Sequence, residues 1–275
     1  MMEFKPFSKA VLAFFHADEG SKIPTVKFHQ YTVSLMFISL LYSNNQKAEE
    51  ILLNSFHRMD GINYRFKVES KSSKKKKREK HFEISVLWPS DGKFLRQTRV
   101  TTILTKRKKP PSFWEHRYKN GKKANKWMSL PVTGKLKDMT DKKNRKKDFP
   151  MADLVVTKED IRSHTHKLLP MEKFDTLSVY VVESIKKNKD GKVKESKKIW
   201  LDAESYMIIK VELYTGSGRL YRTVECSDFH YIDKILFPMS IYVQDLKSKT
   251  DIKINVKDIE LNPEFNMDIF IPKDQ

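Results

Sequence analysis

Apolar and polar positions divide this chain into one early helix and a long series of strands. Between 46 and 61, QKAEEILLNSFHRMDG sets Ala48, Ile51, Leu52, Phe56 and Met59 at helical spacing and stops at Gly61. That pattern predicts an amphipathic helix with a glycine end. After Gly61 the period falls to two. INYRFKVES alternates, HFEISVLWP puts Phe82, Ile84, Val86 and Trp88 on one face, and KFLRQTRVTTILTKR continues the alternation. These segments read as half-buried antiparallel strands. WPSDGKF marks a hairpin turn between two of them, and Asn120-Gly121 marks another inside SFWEHRYKNGKKANKWMSLP.

From Pro131 to about Thr165 the text is irregular, apart from a helical turn opened by Thr157 and Asp160. The strand pattern resumes at KFDTLSVYVVESIKK and runs nearly to the end, with turns at Lys189-Asp190-Gly191, Asp202–Ser205, Gly216–Gly218 and Lys247–Lys249. In the last strand Ile252, Ile254 and Val256 point inward, while Lys253, Asn255 and Lys257 point outward. Many long hairpin strands with few helices describe a mainly β (α+β) fold, one strongly curved antiparallel sheet with no break into two domains.

One stretch departs from this pattern. YTVSLMFISLLYSNNQ, 31–46, contains an apolar run of about a dozen residues, where a membrane-spanning helix needs about twenty. A basic residue precedes the run and small or polar residues follow it, the plan of a signal peptide. An uncleaved anchor and a buried core helix are the other readings of the same residues. A mean hydropathy of −0.60 excludes a polytopic membrane protein.

Charge adds a second theme. The formal net charge is +19, from 54 Lys and Arg against 35 Asp and Glu. Three basic runs (74–78, 106–109 and 142–147) lie between strands or in the irregular middle. They are either solvated loop tips or an anion-binding rim, for which Lys75, Lys76, Arg78, Arg107, Lys108 and Arg145 are the candidates. Nucleic acid is not the expected partner, because the aromatic residues sit in alternating strands and not in the basic loops.

Candidate chemistry is sparse. The single cysteine, Cys226, can form no internal disulfide and reads as a small buried hydrophobe. None of the 8 glycines builds a dinucleotide or phosphate loop. His164 and His166 are two residues apart but have no further metal ligand at suitable spacing. Ser163 lacks an oxyanion-type glycine turn. Asp228, Glu225 and Asp258 form no paired-carboxylate motif. No enzyme, metal site or cofactor is expected. Trp88, Trp114, Trp127 and Trp200 are available to fill a core or to line a hollow.

The C-terminal third resembles the outer-membrane lipoprotein-sorting, LolA-like family. The resemblance rests on Trp200, Asp202, Tyr206, Leu213-Tyr214, Gly216, Gly218, Ser227-Asp228-Phe229, Ile232-Asp233, Pro238, Lys249-Thr250, Phe270 and Pro272. Lys234 stands where the family has a glycine. WMSLP (127–131) and KDFPMADLVVTKEDI, with Asp153-Leu154 and Glu159-Asp160, are similar to earlier family segments, although Lys147-Asp148 replaces small residues there.

The resemblance implies a half-barrel of roughly eleven strands under a helical lid, enclosing an apolar cavity. It implies a periplasmic carrier, a monomer, that holds a lipid or a lipoprotein acyl chain. Such a carrier would take its cargo from an inner-membrane transporter complex and hand it to an outer-membrane acceptor. The other reading is a non-carrier envelope protein that docks on a transporter or membrane partner. Expected lining residues are Phe82, Ile84, Val86, Trp88, Trp114, Val179, Val181 and Ile209. Because the family pattern starts just after the apolar run, 27–43 is expected to be a signal peptide, 1–26 a mis-annotated extension, and 44–275 the single domain.

Overall fold

The structure, a computed structural model, describes residues 44–73, 79–103, 109–141 and 153–274. The expected extension, the expected signal and the six rim candidates all lie outside the described residues. The compact unit described below lies within Asn44–Gln275.

Helix α1 covers 44–57. Ala48, Ile51 and Leu52, at i, i+3 and i+4, are buried on one face as the spacing predicts. Gly61 follows with φ 80, a conformation open to glycine without strain. Six strands come next: β1 (Tyr64–Ser72), β2 (Glu79–Leu87), β3 (Phe94–Ile103), β4 (Ser112–Tyr118), β5 (Asn125–Ser129) and β6 (Leu136–Asp138). The short helix α2 (Lys158–Ser163) begins with a capping box in which Thr157 and Asp160 each satisfy the other's backbone N–H. The remaining strands are β7 (Thr165–Phe174), β8 (Leu177–Lys187), β9 (Val193–Asp202), β10 (Ile208–Thr215), β11 (Leu220–Ile232), β12 (Ile235–Asp245) and β13 (Thr250–Leu261). A 3₁₀ turn, Met267–Phe270, closes the described chain. Among the described residues no helix is long and apolar enough to cross a membrane.

All thirteen strands form one antiparallel sheet, in the order β6-β5-β4-β3-β2-β1-β13-β12-β11-β10-β9-β8-β7. The sheet does not close, since β6 and β7 are its two ends. It is two meanders joined where the first strand pairs with the last, with Val68 opposite Val256 and Ser70 opposite Ile254. Strand β7 begins at Thr165, eight residues before the alternation becomes legible at Lys173. Its Pro170 masks the pattern, and a proline is tolerated there because β7 is an edge strand. The register of β7 on β8 also shifts between Leu169 and Glu172.

The inner face of the sheet, defined as the one packed on α1, carries the main core. Val68, Val182, Ile199, Val211, Val224, Cys226, Ile241, Val243, Ile254 and Val256 cluster with Ala48, Ile51 and Leu52. In β13, Ile254 and Val256 are buried and Lys253 and Lys257 exposed, as the alternation requires. Cys226 is the small buried hydrophobe that its surroundings predict, and burial pushes its thiol up to about 12. A smaller core of Val179, Val181, Trp200, Met207, Ile209 and Leu236 lies on the other face.

The β11–β12 hairpin turns on Asp233 and Lys234, both at positive φ (45 and 69). Two such residues are what a type I′ turn demands, and only a glycine adopts it freely. Lys234→Gly is therefore expected to stabilise the fold by about 0.5–1 kcal/mol. The check is a rise in urea midpoint at unchanged m-value.

Candidate functional site

On the β1–β5 arm the register arranges inner-face residues in rows across the strands. At one end Arg96 pairs with Arg117 and lies over the Trp88 ring, 5.7 Å from its centroid. The next row, about 6.8 Å further along the strands, holds Tyr64, Val86, Thr98, Glu115 and Lys126. After it come Phe66, Ile84, Val100, Phe113 and Met128, and then Val68, Phe82 and Thr102. The strands thus run from a charged end into an apolar field.

Burial separates this arm from the rest of the inner face. Val182, Val211, Val224, Ile241 and Val243, on β8 to β12, are 0% exposed. Phe66, Phe82, Val100, Phe113 and Met128 are only half-buried. An apolar strip of half-buried side chains, interrupted by the buried Val68, Ile84 and Val86 of β1 and β2, therefore adjoins the core over β1–β5.

Three cations share one carboxylate at the charged end. Arg117 Nε donates to Glu115 Oε1 at 2.6 Å, Arg96 approaches the same oxygen at 3.6 Å, and Lys126 Nζ lies 3.4 Å from Oε2. Burial disfavours ionisation of Glu115, but the surrounding charges of Arg117, Lys126 and Arg96 outweigh it and hold the carboxyl below its usual range. Burial and the Arg117 charge lower Arg96 in turn. Burial raises Tyr64, against the pull of Arg96, Arg58 and Arg117. Two buried donors here, Trp88 Nε1 and Arg96 Nε, have no hydrogen-bond partner among the described residues.

The eight expected lining residues are not brought together. Phe82, Ile84 and Val86 are on the inner face, and Trp88 packs beside them. Trp114, Val179, Val181 and Ile209 are on the opposite face. Strand β8 is apolar on both faces, so alternation cannot tell Val181 from Val182. In β10 a bulge between Ile208 and Lys210 reverses the parity and turns Ile209 outward. In β4 the inward set is Phe113, Glu115 and Arg117, while Trp114 donates its indole N–H to the Ile269 carbonyl at 2.9 Å. Having Trp114 inward hid the charged cluster, although Glu115 and Arg117 follow Phe113 at period two.

A second, small pocket lies where α2 meets the sheet. It is lined by Leu52, Asp153, Asp160, His164, His166, Ser184 and Lys197 among others. His166 Nε2 donates to the Ile161 carbonyl at 3.0 Å and leaves Nδ1 to accept from Ser184 at 2.7 Å. His164 Nδ1 donates to the Asp160 carbonyl at 2.7 Å. On the other face His116 Nε2 donates to the Phe270 carbonyl at 2.9 Å. Among the described residues no group of three or more His, Cys, Asp and Glu side chains could hold a metal ion.

With this geometry in hand, comparison with solved structures places the fold. A domain from Vibrio parahaemolyticus assigned to outer-membrane lipoprotein sorting superposes with a TM-score of 0.62 at 20% identity, over 82% of this chain and 97% of that one. A DUF1329 family protein from Desulfovibrio piger gives 0.66 at 14% identity, over 83% and 97%. A LolA superfamily protein from Nitrosomonas europaea gives 0.52 at 19% identity, over 82% and 97%. The chain has the open, curved-sheet fold of these proteins, with thirteen strands where the resemblance implied roughly eleven. A family model described as an uncharacterized protein matches residues 96–274, and the chain belongs to that family. A sequence comparison with curated proteins gives no match.

Burial is the main force holding His116, His164 and His166 below the ordinary histidine value. A base with a depressed folded pKa contributes stability that is complete above its unfolded value. That stability is lost as pH falls from about 6.5 through the folded pKa. Melting temperature should therefore drop between about pH 7.5 and about pH 5. His166→Gln should flatten part of the slope, which calorimetry across that range would show.

Proposed function

We propose that this protein is a carrier that holds an acyl chain of a lipid or lipoprotein against the apolar rows of its β1–β5 arm. The half-buried strip of Phe66, Phe82, Val100, Phe113 and Met128, continuous with a fully buried core, carries the reading. Each methylene moved from water onto such a surface gains about 0.8 kcal/mol. The fold shared with a lipoprotein-sorting domain supports it. On this reading α1 serves as the lid, and Phe82, Ile84, Val86 and Trp88 lie along the bound chain. The protein works in the periplasm, with 27–43 removed as an export signal and 1–26 not part of the working chain. An inner-membrane complex and an outer-membrane acceptor are its partners in transfer.

Protein purified from the envelope fraction should yield a bound lipid on solvent extraction and mass spectrometry, and should begin near Asn44 by N-terminal sequencing. Phe113→Asp sets a charge in the middle of the strip and should reduce chain binding on the order of a hundredfold. A lipid-free protein that is recovered with a stable protein partner would instead favour a docking role.

A further inference from the structure

The two faces of the β1–β5 arm treat charge differently. On the outer face most cations have a carboxylate in reach: Arg65 with Glu260, Lys67 with Asp258, Lys257 with Glu69 and Lys71 with Glu79, the last two carboxylates also meeting His81, while Arg99 keeps a buried Nε with no hydrogen-bond partner among the described residues. On the inner face Arg96, Arg117 and Lys126 share Glu115 as their one carboxylate at ion-pair distance among the described residues, with Asp60 acting on Arg96 from further off, so positive charge is in excess at this end. Their side chains are only 22%, 28% and 22% exposed, so water does not fully screen the excess. Trp88 Nε1–H and Arg96 Nε–H add two buried donors with no hydrogen-bond partner among the described residues. Buried donors are almost always satisfied, so a pair of them in one place asks what acceptor completes it.

We infer that this charged end is a headgroup site, and that the ligand is an acyl chain bearing an anionic oxyanion head, a phosphate or a carboxylate. This rests on the reading that the apolar rows hold a chain. The register sets the head and the chain on one line. The head meets Arg96, Arg117 and Lys126, and the chain continues along the strands over Val100 and Phe113 toward Phe82 and Thr102. Oxyanion oxygens accept from Arg96, Arg117 and Lys126 as charge-assisted bonds and give the orphaned indole and guanidinium N–H groups their acceptor. A nucleic-acid backbone does not fit this site, because its charges repeat along the chain while the cations here stop where the apolar rows begin.

The test compares palmitoyl lysophosphatidic acid, palmitate, palmitoylglycerol and inorganic phosphate on the full chain, by calorimetric titration below the aggregation limit of each amphiphile. Both anionic amphiphiles should bind on the order of tenfold or more tighter than palmitoylglycerol, the worth of one charge-assisted hydrogen bond. Which of the two binds tighter identifies the head as phosphate or carboxylate. Lys126→Met and Arg117→Gln should remove that preference and leave palmitoylglycerol affinity unchanged. Should Arg117→Gln fail to fold by circular dichroism, Lys126→Met decides alone. Glu115→Gln removes the carboxylate that all three cations share, so it should tighten the anionic ligands alone, whereas a purely structural role would weaken all three amphiphiles. Equal binding of the anionic amphiphiles and palmitoylglycerol would overturn the headgroup site but keep the chain site. No binding by any amphiphile would overturn both. Inorganic phosphate binding as tightly as the lysophospholipid would also overturn the proposal, since the chain would then contribute nothing.

Discussion

A sheet this wide has more inner face than the helices among the described residues can cover. Thirteen strands at about 4.8 Å spacing extend for about 58 Å along the sheet. The described length of α1, 44–57, is about 21 Å. Leu52 and α2 cover the part near β7 to β9, where they line one pocket with His166 and Ile199. There the inner-face valines are fully buried, while across β3 to β5 they give way to half-buried Val100, Phe113 and Met128. The open strip follows from this mismatch of areas and needs no separate cavity to be built. It has the character of a core that nothing among the described residues completes.

The same mismatch bears on charge. With a formal net charge of +19, most cations can stay in water at little cost. The outer face of β1, β2 and β13 does this by pairing cations with nearby carboxylates. Arg96 is different, because most of its side chain has been taken out of water beside another arginine, with Glu115 shared among three cations and Asp60 acting from further off. Partly buried cations in excess are costly unless something offsets them. The neighbouring Trp88 ring offsets some of that cost through the cation–π contact. A bound oxyanion would offset the rest, and the cluster's place at the end of the apolar rows fits that role.

Much of the fold was legible in the sequence because local rules agreed with it. Ala48, Ile51 and Leu52 set the helix, Gly92 and Gly121 set two hairpins, and Ile254 and Val256 set the inward face of the last strand. The legible part ends where tertiary context overrides alternation. Pro170 hid an edge strand, a bulge reversed Ile209, and β8 is apolar on both sides. The candidate site was the least legible part, and Trp114 shows why. Its size suggests an interior position, and it is indeed 2% exposed, but under the chain's closing turn and not against α1. Once Trp114 is assigned inward, Glu115 and Arg117 become outward solvent charges and the cluster disappears from view.

That closing turn also explains how the arm can keep one face open. A sheet needs burial on at least one side to hold its register. On β3 to β6 much of that burial comes from outside: Trp114 and Phe270 are 2% and 1% exposed, and the Ile269 and Phe270 carbonyls accept from Trp114 and His116. Phe265 meets Phe270 edge-on at 5.1 Å, and Asp274 accepts from the Leu136 backbone N–H of the edge strand β6 at 2.7 Å. The residues after β13 thus fasten β3 to β6 from behind. Strand β13 itself holds β1 in register, so one C-terminal segment secures both the root and the tip of the arm. With the outer face carrying much of the burial there, the inner face of β3–β5 is free to stay apolar, half-open and charged at one end.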